Sequence, residues 1–127
     1  MILTTEKLEI YILDKVKKLG NVSIEEYYFN NDTHNQEGVY IFSDELRCYH
    51  FVVSERGSEV LHKVTDNIFE ITFWTLESIT FSMADRQTQS GDKYRERLLN
   101  NQLELLGLAG ENYKKIGEAY TNELLNR

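Results

Sequence analysis

Between Gly38 and Thr65 this 127-residue chain abandons the helical spacing of its apolar residues and gathers β-branched and aromatic side chains into three short runs. They are Val39 to Phe42 after Gly38, Arg47 to Ser54 (RCYHFVVS), and Glu59 to Thr65 (EVLHKVT). Such runs fit strands, because branched and aromatic side chains pack well on a pleated surface and lose rotamer freedom against a helical turn. Asp44 and Glu45 can turn the first run into the second, and Arg56, Gly57 and Ser58 the second into the third. Three consecutive strands with short turns predict an antiparallel meander.

Helical spacing frames that meander on both sides. Leu8, Ile12, Val16 and Leu19 fall on one face of a helix over 4–19, with Tyr11 beside them, Thr4 or Thr5 available to cap it and Gly20 to end it. Residues 21–37 show no sustained period. Glu25 to Phe29 can form a short strand or helical turn ahead of a polar loop over 30–36 that contains His34. In 67–86 the composition favours a strand, yet Phe69, Phe73, Leu76, Thr80 and Met83 recur at helical spacing. Twenty residues without Gly or Pro are too long for a strand, so a helix capped by Asp66 is expected. A further helix after Asp92 carries Tyr94, Leu98, Leu99, Gln102, Leu103, Leu105 and Leu106 as its stripe, and Gly107 to Gly110 reads as a break. A last helix from Glu111 places Tyr113, Ile116, Tyr120 and Leu124 on one face. The fold expected is α+β: an N-terminal helix, a small antiparallel sheet of three to four strands, then a C-terminal group of helices packed on it. Residues 1–127 read as a single domain, with no proline and no linker-like tract.

Charge narrows the function. The formal net charge is −7, and 21–80 alone hold eleven acids against three bases, whereas 81–127 hold seven of each. Nucleic acid and anionic membranes are bound chiefly through Lys and Arg, so neither is expected as a partner. No apolar run reaches membrane-spanning length and the first residues lack the pattern of a secretory signal. Cys48 is the single cysteine, so no intrachain disulfide can form. A cytoplasmic protein is expected.

Catalytic signatures are missing. There is no phosphate loop, no dinucleotide turn, no nucleophile elbow and no paired Cys and His at zinc spacing. Cys48 and His50 share a face of the second strand, with His62 on the next, so a Cys-His-His site is conceivable if register sets His62 opposite His50. The simpler reading makes Cys48 a small buried hydrophobe and the histidines residents of a half-solvated face. Glu70 and Glu77, two helical turns apart, could face Glu55 or Glu59 as a carboxylate pair, although a solvated face explains them better. His34 is expected to titrate in water. No catalytic residue, metal or cofactor is assigned. The run Glu25, Glu26, Tyr27, Tyr28, Phe29 is interface-like, since tyrosines supply contact area while carboxylates steer a basic partner. Trp74 is expected to anchor the core, although a Trp partly exposed on a helix would be a natural interface anchor.

The C-terminal part adds a resemblance. Tyr94-Arg95 after Asp92, then Asn101-Gln102-Leu103-Glu104-Leu105-Leu106-Gly107, then Tyr113, Glu118 and Leu124-Leu125, resemble the end of the immunity protein 63 family of bacterial polymorphic toxin systems. Phe73-Trp74 and the helix to Ala84-Asp85 are similar too, so the likeness spans 66–127, with the N-terminal half matching only in its order of elements. It implies a toxin-neutralising protein whose partner is a cognate toxin, with Trp74 and Arg95 as family-matching positions that can equally be structural; Arg95 could pair with Asp85. The acidic part then becomes the expected toxin-binding surface: Glu25, Glu26, Tyr27, Tyr28, Asp44, Glu45, Glu55 and Glu59. The alternatives are a non-enzymatic scaffold or regulatory module, and a small metal- or carboxylate-dependent hydrolase.

Overall fold

The computed structural model describes residues 2–32 and 36–125, Leu125 by its backbone alone. His34, expected in a solvated loop, lies outside the described residues. The elements run α1 (Thr5–Val16, continued by a tight 3-10 turn, Lys17–Leu19), β1 (Tyr27–Tyr28), β2 (Gly38–Ser43), β3 (Tyr49–Glu55), β4 (Ser58–Thr65), α2 (Ile68–Gln87), α3 (Tyr94–Ala109) and α4 (Glu111–Leu125). This is an α+β chain whose sheet has the order β1-β2-β3-β4. The chain forms two compact units: a sheet unit of Met1–Asp14 with Ser23–Thr75, and a helical unit of Lys15–Val22 with Leu76–Arg127.

In the sheet unit the meander is antiparallel, as expected. Ile41 opposes Phe51 and Phe51 opposes Lys63, while Tyr40 opposes Val52 and Val52 opposes His62. The β3–β4 hairpin turns at Arg56 and Gly57, both at positive φ, which matches the twist of the strands it joins. β1 adds a short parallel neighbour, Tyr27 to Val39 and Tyr28 to Tyr40, so the sheet is mixed. Gly38 makes that pairing possible. Its φ is +150°, and a Cβ there would sit 2.5 Å from the Glu26 carbonyl oxygen.

Alternation along the strands separates two faces. One carries Ile41, Ser43, Tyr49 and Phe51, all buried. The start of α1 is fastened there: Leu3 donates its N–H to the Tyr49 hydroxyl at 2.9 Å, and Thr5 Oγ1 accepts from the Ser43 N–H at 2.9 Å. Trp74, on the first turns of α2, is half-buried on this face, edge-on to Phe51 with ring centroids 6.2 Å apart and with Lys63 Nζ 4.3 Å from its ring. It is a sheet-packing residue under a cation. The other face carries Tyr28 stacked on Tyr40 at 4.9 Å, then Phe42, His50, Val52 and His62.

The helical unit packs by small and polar residues as well as leucines. Leu98, Leu99, Gln102 and Leu106 of α3 are buried, as their spacing predicts. Gln102 donates to the Glu77 carbonyl at 2.9 Å and to Thr80 Oγ1 at 3.2 Å, so α2 and α3 are tied by a side-chain amide. α4 departs from expectation. Tyr113 and Thr121 are buried together with Gly117, whereas Ile116, Tyr120 and Leu124 are 39%, 48% and 37% exposed. Gly117 explains it: Leu106 and Leu103 of α3 come so close that a Cβ there would meet them at 2.7 and 3.0 Å. The closest helix approach therefore runs through 113, 117 and 121.

Three helix ends also differ from the sequence reading. Asn67, not Asp66, caps α2, its Oδ1 accepting from the Glu70 N–H at 3.0 Å. Lys93 rather than Asp92 holds the N-cap of α3, and the Asp92 carbonyl instead accepts from Arg97 Nε. α3 continues through Gly107 and stops only at Gly110. α1 is capped as predicted, by Thr4.

Candidate functional site

The β2–β3 turn is built around one carboxylate. Asp44 Oδ1 accepts the backbone N–H groups of Leu46, Arg47 and Cys48 at 3.0, 2.8 and 3.0 Å, and Glu45 occupies the left-handed region at φ +63°. A short polar side chain that can fold back on the following amides is what this turn requires. These three donors, with His50 adding to them, hold the Asp44 carboxyl well below the usual carboxylate range. The second oxygen, Oδ2, is left to face the sheet.

Oδ2 meets Cys48 and His50. Cys48 Sγ donates to it at 3.3 Å, His50 Nε2 lies 3.2 Å from it, and Cys48 Sγ and His50 Nε2 are 3.5 Å apart. Burial pushes the Cys48 thiol up, and the Asp44 carboxylate beside it pushes the same way. His50 is held from two more directions. Its ring stacks on Phe42 at 4.7 Å, nearly parallel, and its Nδ1 lies 2.8 Å from His62 Nε2. His62 Nδ1 in turn lies 2.8 Å from Glu59 Oε1. A continuous line of polar contacts thus runs Asp44, His50, His62, Glu59 along this second face, on which Tyr40 and Val52 are buried.

Register explains both the success and the error of the sequence reading here. His50 opposes Val64, not His62, which opposes Val52. The two histidines are diagonal neighbours on one face, still within reach of each other. Cys48 precedes β3 and lies in the turn, and that position lets Sγ reach back to Asp44. Cys48 and His50 converge, but on Asp44, which the sequence reading did not group with them, while His62 meets the far nitrogen of the His50 ring. The paired signal was the spacing Asp44, Cys48, His50, which puts a turn acid over the first residues of the next strand.

The proposed toxin-binding residues fall at two ends of the sheet. Glu26 is beside Gly38, which opposes Ser54, and Ser54 opposes Glu59, so Glu25, Glu26, Glu55 and Glu59 gather at the end where β3 turns into β4. Asp44 and Glu45 form the opposite end. Tyr27 and Tyr28 are half-buried in β1. Arg95 is exposed, and Asp85, suggested above as its partner, accepts from the Tyr94 hydroxyl instead. Glu70 is exposed on the first turn of α2, while Glu77 is half-buried with its main-chain carbonyl bonded to Gln102.

β4 is an edge strand, as β1 is at the other side, and among the described residues no strand pairs with its outer edge. Val60 and Val64 are each 54% exposed on it. The sheet unit holds thirteen acidic and four basic residues, a net of −9, whereas the helical unit holds eight and ten, a net of +2. No helix is long and apolar enough to cross a membrane among the described residues.

Comparison with known proteins adds the family. The model of the family described as Immunity protein 63 matches residues 44–123, from the Asp44 turn through most of α4. A search of curated proteins and a search of solved structures each found no match. With more than half of it matched, the chain belongs to the immunity protein 63 family.

Proposed function

As a member of the immunity protein 63 family, this chain, we propose, neutralises a cognate bacterial toxin in the cytoplasm by binding its toxin domain one to one, without catalysis. Family membership carries the reading. The charge distribution supports a location for the contact, because a net of −9 on the sheet unit attracts a basic partner and speeds its encounter. Glu25, Glu26, Glu45 and Glu55 are exposed there and free to steer. The exposed apolar side chains of β4, and its free backbone edge, supply the desolvated contact that charge alone does not. Tyr27, Tyr28, Asp44 and Glu59 complete the proposed surface, the last two through the polar line they terminate.

Co-expression with a candidate toxin encoded beside this chain tests the proposal. The expected result is a stable equimolar complex and rescue of growth. Continued killing, with both proteins soluble and no complex, would overturn it.

A further inference from the structure

The triangle at the β2–β3 turn has the composition and dimensions of a cation site. We infer that Asp44 Oδ2, Cys48 Sγ and His50 Nε2 bind one divalent cation of the zinc class, leaving a fourth position open on the sheet face. The first support is metric. Zinc bonds of about 2.3 Å to sulfur and about 2.0–2.2 Å to nitrogen and oxygen, at tetrahedral angles, put nitrogen and oxygen about 3.3–3.6 Å apart and sulfur about 3.5–3.7 Å from either. The edges here are 3.2 Å from nitrogen to oxygen, 3.3 Å from sulfur to oxygen and 3.5 Å from sulfur to nitrogen, so a small outward shift of the Asp44 oxygen would admit the ion. A thiolate, an imidazole and a carboxylate together suit zinc or cobalt(II), whereas calcium and magnesium need oxygen alone.

The second support is the shell behind the ligands. In the ion-bound form, with both rings neutral and the His50 proton on Nδ1 rather than on the Nε2 that faces Asp44, His50 Nδ1–H would donate to His62 Nε2 and His62 Nδ1–H to Glu59, so the hydrogen bonds would run in one direction away from the triangle. The lone pair of His50 Nε2 then points at Asp44 and Cys48. An imidazole whose far nitrogen is held by a second histidine and a carboxylate is oriented as a ligating histidine is. Phe42, stacked on the ring, removes its remaining freedom. Asp44 is fixed independently, since its other oxygen caps three amides.

The third support is access and field. His50 and Asp44 keep side-chain exposures of 18% and 35%, enough for an ion to enter from solvent. The unit that holds them carries a net charge of −9, which concentrates cations around it. Binding deprotonates the Cys48 thiol, and one proton leaves to solvent for each ion taken up. The site joins a turn to the first residues of β3, so an ion would pin the hairpin end. None of this depends on the toxin reading: the cation can bind whether or not the chain neutralises a toxin.

Cobalt(II) titration of the full chain, kept reduced without any thiol reductant, is the test, because Cys48 is the single cysteine and a thiolate-to-cobalt charge-transfer band can then come from nowhere else. The expected result is one equivalent bound with that band, tetrahedral d–d absorption, displacement by zinc and none by magnesium. Asp44→Asn keeps a carbonyl oxygen for the turn amides and should weaken binding at least tenfold, as should His50→Gln. His62→Gln should weaken it by roughly 10-fold through loss of the supporting hydrogen bond. Far-UV circular dichroism identifies variants that fold. Absence of the charge-transfer band in the wild-type chain at millimolar cobalt would overturn the inference without recourse to any variant. So would equal cobalt affinity in folded wild-type, Asp44→Asn and His50→Gln chains.

Discussion

In the helical unit the polar side chains Thr80, Thr88 and Gln102 are buried and bonded to helix carbonyls, as Thr72 and Thr75 are in the sheet unit, but the sheet unit also carries Asp44, His50, His62 and Glu59, partly exposed and bonded to one another. The charge separates the same way, with a net of −9 on the sheet unit and +2 on the helical one. Polar groups turned inward fix the packing of α2 and α3, since each buried amide or hydroxyl must find its partner. Polar groups that keep part of their surface in solvent, as Asp44, His62 and Glu59 do, remain available to a ligand or a partner. That difference is why the proposed recognition surface is placed on the sheet unit rather than on the helical one.

The same substitution in each unit gives the largest contrast. Gly38→Ala should destabilise the chain by about 3 kcal/mol, because positive φ and a clash with the Glu26 carbonyl admit no rotamer that relieves them. Gly117→Ala meets only the ends of leucine side chains and gains helix propensity, so its cost should be about 1 kcal/mol or less. Urea denaturation of both measures the difference, and equal losses would break the contrast.

Charge is the next lever. Neutralising Glu25 and Glu26 together should slow association with the cognate toxin by roughly threefold at low salt, and Glu118 with Glu123 on the helical unit should leave it nearly unchanged. Raising ionic strength should erase the difference. Within the helical unit, Gln102→Met should cost about 1 kcal/mol, since two hydrogen bonds disappear while Thr80 keeps the Leu76 carbonyl. A neutral result would mean that shape rather than the amide ties α2 to α3.

The smallest effect separates two tyrosines. Burial first of all raises Tyr40 in the sheet unit, while the hydrogen bond to Asp85 raises Tyr94 in the helical one. Both therefore favour folding fully below the unfolded tyrosine value of about 10, and that contribution fades as pH rises through their folded values. Asp85→Asn should bring Tyr94 down towards its ordinary range and leave Tyr40 where it is, as NMR titration of the two rings would read.

Much of this was legible in the sequence. The three apolar runs gave the meander, and Leu8, Ile12, Val16 and Leu19 gave the buried face of α1 because local periodicity and burial agree there. In α4 they disagree. Ile116, Tyr120 and Leu124 read as the core stripe, but a glycine that admits two leucines decides the packing, and a glycine has no hydropathy to reveal it. The parallel pairing of β1 was likewise hidden, since two residues carry no period. Cys48, His50 and His62 could be gathered from strand alternation alone. Asp44 could not, because it joins them through a turn whose shape its own other oxygen creates.

Hydrogen exchange on the full chain, free and bound to its cognate toxin domain, tests the division of labour most directly. Slowed exchange is expected in β4 and in the segments that carry Glu25, Glu26, Glu45 and Glu55, with α3 and α4 unchanged. Protection confined to α4 and its exposed Ile116, Tyr120 and Leu124 would contradict it.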